Sequence, residues 1–449
     1  MKLTTQNRRF SAPLALLLVT SLAGCGVVGG GHKHVKSTPT VGNRIPILSR
    51  VESGAKVDPD LAAVAVVLPP PEANADWAQP GGAANKSYGH LALGDAPARM
   101  WSTVVPGSSV RRRLAAAPVI GGGAMFVMDT SGVLHAFDAA TGREKWTHSF
   151  SVAGEDQQAV FGGGASYDDG KVYVTTGVGT VAALDAKTGK QAWQVKPAGP
   201  LRGSPTVAFG AVYVMTQNNE IHALNANDGT ALWQESSSLG ETGVFGVAAP
   251  AAGQGTVIAG YSTGELIAYR YENGRVLWSD ALALTSLSTS VGVLTDIDAD
   301  PIIDHGRVYA LGQGGRMAAY ELVTGQRIWE LNLAGISTPA VAGDWIFTLT
   351  DDDKLLCIAR SSGKVRWSTQ LDRYTSPKKK KGPIFWTGPV LAGNRLWLTN
   401  SRGEIYAVGT DEGAAHVFKH MQSPFSLAPV VANGTLYVIE DRGQITAYK

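Results

Sequence analysis

The fold is decided by Ala136–Trp146, AFDAATGREKW, because variants of this stretch recur along the chain. Each copy has a glycine six residues after its first residue and a tryptophan four residues after that glycine. The further copies are Ala183–Trp193, Ala223–Trp233, Ala268–Trp278, Ala319–Trp329 and the weaker Cys357–Trp367.

Short apolar runs before each copy indicate β-strands. Ala124–Asp129 and Gly132–Phe137 are rich in apolar and β-branched residues, and turn residues separate them. A further run, opened in most units by a proline as in Pro118-Val119, comes first. Each unit therefore predicts four strands, and the glycine suits a tight turn at positive φ. Four-stranded units repeating about every forty to fifty residues are typical of a β-propeller.

The tryptophan spacing predicts the number of blades. A fourth strand is marked by Trp101, Trp146, Trp193, Trp233, Trp278, Trp329 and Trp367, and the next expected position is Val417, beside Phe418. Three strands follow Phe418, so Ala98–Val104 is expected to supply the missing strand of the last blade. The sequence thus predicts an all-β fold, an eight-bladed propeller of four-stranded antiparallel blades closed by an N-terminal strand. The large indoles would pack between neighbouring sheets.

The N-terminal residues predict export and a lipid anchor. Residues 1–24 have a basic start and a short apolar run, as in a signal peptide. The following Leu22-Ala23-Gly24-Cys25 resembles a bacterial lipobox, which implies acylation of Cys25. Gly26 after that cysteine is compatible with sorting to the outer membrane. We expect residues 25–96 to be a lipid-anchored tether and residues 97–449 to form the propeller.

Composition and motifs favour a binding protein over an enzyme. Net charge is +2, which does not indicate nucleic-acid binding. The sequence has no nucleophile elbow, phosphate loop or zinc-protease motif, and we expect no catalytic residues, cofactor or metal. Asp296, Asp298 and Asp300 have the spacing that opens a calcium loop, but Pro301 stands where that loop needs glycine. An acidic loop suited to a basic partner surface remains.

The repeat Ala-x-Asp-x-x-x-Gly-x-x-x-Trp resembles the tryptophan-docking repeat of quinoprotein dehydrogenases, which hold pyrroloquinoline quinone. Together with the lipobox it resembles the BamB family of outer-membrane assembly lipoproteins, over nearly the whole chain. That second resemblance implies a non-catalytic scaffold of the β-barrel assembly (BAM) complex. Such a protein would face the periplasm from the outer membrane, bind the POTRA domains of BamA, and aid folding and insertion of barrel proteins.

The family resemblance also implies two partner-binding loops. Asp296 and Asp298 match an acidic loop of the family, whereas Thr242, Val244 and Phe245 match a second loop in which Phe245 replaces the family's arginine. The two loops belong to adjacent repeats, so we expect them near each other on one face. Unfolded barrel precursors are a further expected ligand. A quinone-dependent dehydrogenase and a periplasmic ligand-binding propeller are the alternative functions.

Overall fold

The predicted propeller is confirmed by a computed structural model, which describes residues 56–106, 114–150, 162–201, 203–238, 248–282 and 295–449. These residues form eight four-stranded antiparallel sheets and one two-stranded hairpin. Seven blades use four consecutive strands, and strand order in each follows the chain. In this part of the chain, no helix has the length and apolar character needed to cross a bilayer.

The strands are numbered along the chain. The first is β1 (Arg99–Val104). Blade 1 contains β2 (Val119–Gly121), β3 (Ala124–Met128), β4 (Val133–Asp138) and β5 (Glu144–Ser149). Blade 2 contains β6 (Ala165–Asp168), β7 (Lys171–Thr175), β8 (Val181–Asp185) and β9 (Gln191–Val195). Blade 3 contains β10 (Thr206–Ala208), β11 (Ala211–Met215), β12 (Glu220–Asn225) and β13 (Ala231–Ser236). Blade 4 contains β14 (Ala251–Gly253), β15 (Thr256–Gly260), β16 (Glu265–Arg270) and β17 (Val276–Ala281).

The second half of the ring has the same plan. Blade 5 contains β18 (Ile302–Asp304), β19 (Arg307–Gly312), β20 (Arg316–Glu321) and β21 (Arg327–Leu331). Blade 6 contains β22 (Ala340–Ala342), β23 (Trp345–Leu349), β24 (Lys354–Ala359) and β25 (Val365–Gln370), and the hairpin β26 (Tyr374–Ser376) and β27 (Lys381–Pro383) follows it. Blade 7 contains β28 (Trp386–Ala392), β29 (Arg395–Asn400), β30 (Glu404–Gly409) and β31 (Ala415–His420). Blade 8 contains β32 (Val430–Ala432), β33 (Thr435–Ile439) and β34 (Gln444–Tyr448).

The expected closure of the ring by the N-terminal strand is confirmed. β1 pairs antiparallel with β34, with Ser102 opposite Thr446 and Val104 opposite Gln444. Blade 8 therefore combines the first strand of the ring with its last three. Such a closure joins the two ends of the repeat array and protects what would otherwise be an open sheet edge.

The recurring glycine and tryptophan are explained by contacts between blades. The Trp193 indole N–H donates to the carbonyl of Ala226 in the next blade at 3.1 Å. Gly229, at φ +76°, lies under the same indole, and a Cβ there would come within 2.7 Å of its ring. The same hydrogen bond, from the indole N–H to a backbone carbonyl of the next blade, is made by Trp146, Trp233, Trp278, Trp329 and Trp367. The repeat glycine is thus required both by its backbone conformation and by the tryptophan of the preceding blade.

Blade 7 differs from the sequence expectation by one residue. Val417, the position expected to replace the tryptophan, is 41% exposed. A shift in the pairing of β30 with β31 turns Phe418 inward instead. Phe418 packs edge-on against Trp397 at 5.1 Å and Tyr448 at 5.5 Å between ring centres. An aromatic side chain therefore still fills the gap between blades 7 and 8.

Residues from Lys56 onward pack against the ring rather than forming part of a tether. Within them, residues 69–93 cross one mouth of the ring, and we call this segment the plug. Trp77 is 5% exposed and exchanges two backbone hydrogen bonds with Ile120. Plug residues contact the innermost strand or its following turn in all eight blades: Ile120, Tyr167, Val207, Ala252, Ile303, Gly343, Leu391 and Asn433.

The plug defines two faces of the ring. Its contacts lie at the ends of the innermost strands, on the face where each blade makes its first and third turns. The second turn of each blade and the connection to the next blade lie on the opposite face, which we call the connection face. Layers of apolar side chains between neighbouring blades form the core, for example Phe126 of blade 1 with Val174 of blade 2.

Candidate functional site

The two loops implied by the family resemblance belong to consecutive connections on the connection face. One joins β13 to β14 and the other joins β17 to β18. Thr242, Val244 and Phe245 lie in residues 239–247, outside the described residues. Asp296 and Asp298 are described, as are the flanks of both connections. These described flanks show where on the ring each connection starts and ends.

The start of the first connection is held by a polar network on blade 4. Ser237, Ser238 and Thr263 all donate their hydroxyls to Glu265, the latter two at 3.0 Å. The hydrogen bond from Ser237 lowers the pKa of Glu265 most, partial burial opposes it, and the other two hydroxyls add to the lowering. Glu265 therefore accepts these bonds as a carboxylate at neutral pH. The network fixes the point where the chain leaves blade 3.

Asn219 adds a second tie at the same place. Its side-chain amide donates to the carbonyl of Ser238 at 2.8 Å, and its oxygen accepts from the Ser262 hydroxyl at 2.9 Å. Asn219 is 1% exposed. The second turns of blades 3 and 4 are therefore bound to each other and to the first connection.

Asp296 is buried at the root of the second connection. Asp296 is 1% exposed, and its backbone carbonyl accepts a hydrogen bond from the Gln313 N–H at 2.9 Å. Beside it, the Thr295 hydroxyl donates to Ser262 at 2.8 Å, and Ile297 packs on Gly260. The expectation of a surface acidic loop is thus corrected for Asp296, because close packing of Ile297 draws its neighbours into the body. Asp298 is half-buried, with its Oδ1 buried, and is the more exposed residue of the pair.

Asp300 brings the two connections together. Its carboxylate accepts from the backbone N–H of Ala249, in the flank of the first connection, at 2.8 Å. Its own N–H donates to the Thr338 hydroxyl at 3.0 Å. The end of the first connection, the end of the second and the start of blade 6 therefore meet at Asp300. The described flanks of the two connections are therefore in contact, and the expected proximity of the two loops themselves stays a prediction.

A lysine of the plug interacts electrostatically with the same carboxylate. Lys86 is 1% exposed and donates to the Thr206 hydroxyl at 3.1 Å. Burial raises the pKa of Asp300, and the charge of Lys86 opposes that rise. Burial also lowers the pKa of Lys86 to about 8, with the charge of Asp300 opposing the fall. The plug and the two connections are thereby coupled electrostatically through the interior of the ring.

Comparison with known proteins identifies the family. The family model described as outer membrane protein assembly factor BamB matches residues 90–160 and 130–369. The chain belongs to the BamB family. A relative from Salmonella typhimurium, described as outer membrane protein assembly factor BamB, is 32% identical over 357 residues, which cover 78% of this chain and 88% of the relative. The family match begins at residue 90, so most of the plug lies outside it.

Solved structures confirm the architecture. BamB from Moraxella catarrhalis matches with a TM-score of 0.65 at 19% identity, covering 79% of this chain and 99% of that one. A quinohemoprotein alcohol dehydrogenase from Comamonas testosteroni also matches with a TM-score of 0.65, at 15% identity, covering 89% of this chain and 83% of that one. At these identities the likeness shows the propeller fold alone.

Two residues that organise the site, Glu265 and Lys86, were not singled out from the sequence, and Asp300 was noted only for a calcium-loop spacing. Glu265 begins β16 and matches no motif, and its hydrogen-bond partners Ser237 and Ser238 are distant in sequence. Lys86 lies in a segment without repeats, where lysine ordinarily indicates solvent exposure. Asp300 alone had a usable signal, since it is the third carboxylate of the acidic loop.

Proposed function

We propose that this protein is a non-catalytic scaffold of the BAM complex that binds the periplasmic POTRA domains of BamA. Its membership of the BamB family, over most of the chain, carries the proposal. Residues 1–24 would act as the signal peptide, and acylated Cys25 would hold the mature protein in the outer membrane, facing the periplasm. Bound in this way, the ring would aid folding and insertion of barrel proteins and could also hold their unfolded precursors.

The adjoining connections on blades 3–5 are the proposed docking site. Their flanks are fixed to the ring by Glu265 and Asp300, so little conformational entropy is lost when a partner binds there. Asp298 would accept from a basic group of the partner. Phe245, where the resemblance implies an arginine in other members, would replace a bidentate polar contact with apolar area. Thr242 and Val244 belong to the same proposed surface.

Co-purification with tagged protein tests this proposal. The parent, Asp298→Arg and Phe245→Ala forms are isolated from native outer membranes in mild detergent, and BamA is quantified in each. We expect stoichiometric BamA with the parent and loss of roughly tenfold or more with Asp298→Arg, because a close charge pair becomes a repulsion. Asp411→Arg reverses an exposed carboxylate on the plug face and is the matched control.

The outcomes separate function from site. BamA retained by all variants would leave the scaffold function standing and refute the proposed surface. Absence of BamA from the parent would refute the function itself. In that case the alternatives, a quinone-dependent dehydrogenase or a ligand-binding propeller, would be tested by adding pyrroloquinoline quinone with calcium and by measuring thermal shifts with other ligands.

A further inference from the structure

The hairpin that follows blade 6 has a defined shape but no role in the core. Tyr374 pairs with Pro383 and Ser376 pairs with Lys381, and a 3₁₀ turn joins the two strands. Lys380 adopts a left-handed conformation at φ 48°. Every residue from Thr375 to Pro383 is exposed. The hairpin therefore displays its side chains to the surroundings without stabilising the ring.

Those side chains are strongly basic. Lys378–Lys381 form the turn and the start of β27, and residues 373–403 include seven basic residues and no acidic one. At the base of the hairpin, Arg373 pairs with Asp353 at 3.5 Å and Arg402 lies 4.0 Å from Asp372. Within the described ranges, no carboxylate lies close enough to form an ion pair with any of the four lysines. Four positive charges thus project from a chain whose net charge is +2.

Exposed apolar side chains accompany the lysines. Phe385, directly after the hairpin, is 65% exposed, and its backbone is fixed by two hydrogen bonds to Ser401, at 2.9 and 3.0 Å. At the other end of blade 6, Val67 is 72% exposed and Val64 is 41% exposed. The Val64 carbonyl accepts from Arg366, which holds this segment on the outer strand β25. Phe385 thus accompanies the lysines of the hairpin, whereas Val64 and Val67 lie toward the opposite end of the outer strand of blade 6.

The N-terminal part of the chain joins the ring at this same blade. Val57 pairs with Val365, the Asp58 N–H donates to the Val365 carbonyl at 2.8 Å, and Lys364 lies 2.9 Å from the Asp58 carboxylate. Val365 begins β25, and the hairpin follows the end of β25. A strand of this length spans about 20 Å. The chain leading back to the proposed lipid attachment at Cys25 thus reaches the ring within one strand length of the hairpin.

We propose that the rim of blade 6, with Lys378–Lys381 and Phe385, rests on an anionic lipid surface. Lysines near such a surface are attracted to its headgroups, and an exposed aromatic ring enters the interface. An acidic protein is the other partner that the lysines would suit. A membrane is favoured because the exposed Phe385 accompanies the lysines and because the chain's N-terminal part arrives on this blade. The hairpin would provide a membrane contact in addition to the proposed lipid anchor and orient the ring edge-on.

A fluorescent probe on the hairpin tests the proposal. The full chain carries Ser376→Cys for labelling and Cys25→Ser, so that neither acylation nor labelling occurs at residue 25; Cys357 is buried. The probe is environment-sensitive, and vesicles contain phosphatidylcholine alone or with a minority of phosphatidylglycerol. We expect a blue shift with the anionic vesicles only, reversed by high salt. The local probe reports the hairpin itself, so the basic signal peptide does not confuse the result.

Substitutions define the outcome. Changing all four lysines to glutamine should weaken the response by about fivefold per lysine, and by more than a hundredfold in total. Lys187→Gln with Lys190→Gln, in an exposed turn of blade 2, should leave it unchanged. An equal response from the four-lysine variant, or no shift on anionic vesicles, would overturn the proposal. A shift with native membranes but not with lipid vesicles would assign the hairpin to an acidic protein and overturn it equally.

Discussion

Lys86 gives the plug a measurable signature in the pH dependence of stability. Its pKa is lowered from 10.5 to about 8 by burial, with Asp300 opposing the shift. Between pH 8 and pH 10.5, Lys86 is therefore protonated in the unfolded chain and neutral in the folded protein. Having Lys86 neutral stabilises the folded protein. This stabilisation is fully present above pH 10.5 and is lost as the pH falls through 8.

The magnitude follows from the size of the shift. At about 1.4 kcal/mol per pH unit, the full contribution is about 3 kcal/mol, of which about 2 kcal/mol is present by pH 9.5. Lys86→Met removes the titrating group and retains most of its apolar length. The free energy of unfolding of the parent, relative to the variant, should rise by about 2 kcal/mol between pH 7 and pH 9.5.

Urea unfolding of both forms across this pH range measures the difference. Other groups that titrate, including the buried tyrosines, are common to both proteins and cancel. Burial raises the pKa of Asp300, with the charge of Lys86 opposing the rise, and both forms retain this residue. Parallel stability curves for parent and variant would show that Lys86 is solvated, and would refute the placement of the plug inside the ring.

Two further substitutions test the packing between blades and the charge of one histidine. Gly229→Ala should lower the free energy of unfolding, measured in urea, by about 2–4 kcal/mol, because the new Cβ displaces Trp193. Gly210→Ala, at φ +73° with nothing within 4 Å of the new Cβ, should lower it by only about 1 kcal/mol. Equal losses would contradict the packing of Trp193 on Gly229. Burial opposes charge on His135, but Asp129 and Glu144 outweigh it and raise its pKa above 6.5. The stabilisation from charged His135 is therefore complete below pH 6.5 and is lost as the pH rises through the raised pKa. His135→Gln should destabilise the protein more at pH 6 than at pH 8. A loss of stability that is independent of pH would contradict this assignment.

The blades could be predicted from the sequence because each repeat meets the same contacts. The glycine of one copy lies under the tryptophan of the copy before it, so both residue types recur at fixed spacing. The strand that completes blade 8 was predictable because the last unit of the repeat array has only three strands of its own. In blade 7 no tryptophan marks the position, and a shift in pairing places Phe418 rather than Val417 in the gap.

The plug was not predictable because its contacts have no period. Gln79 bonds with Val207, and Leu91 bonds with Leu391, so successive contacts join distant parts of the chain. The burial of Asp296 was missed for a related reason. A pattern of carboxylates shows their spacing, but the packing of Ile297 decides which of them reach solvent.

Site-specific photo-crosslinking in native outer membranes tests the central claim most directly. A photoreactive residue replaces Asp298 on the connection face or, as the control, Val323, which is 73% exposed in a turn on the plug face. The proposed function predicts an adduct with the POTRA region of BamA from position 298 and none from position 323. An adduct from position 323 alone, or none from position 298 in a protein that still co-purifies with BamA, would contradict the proposed docking surface.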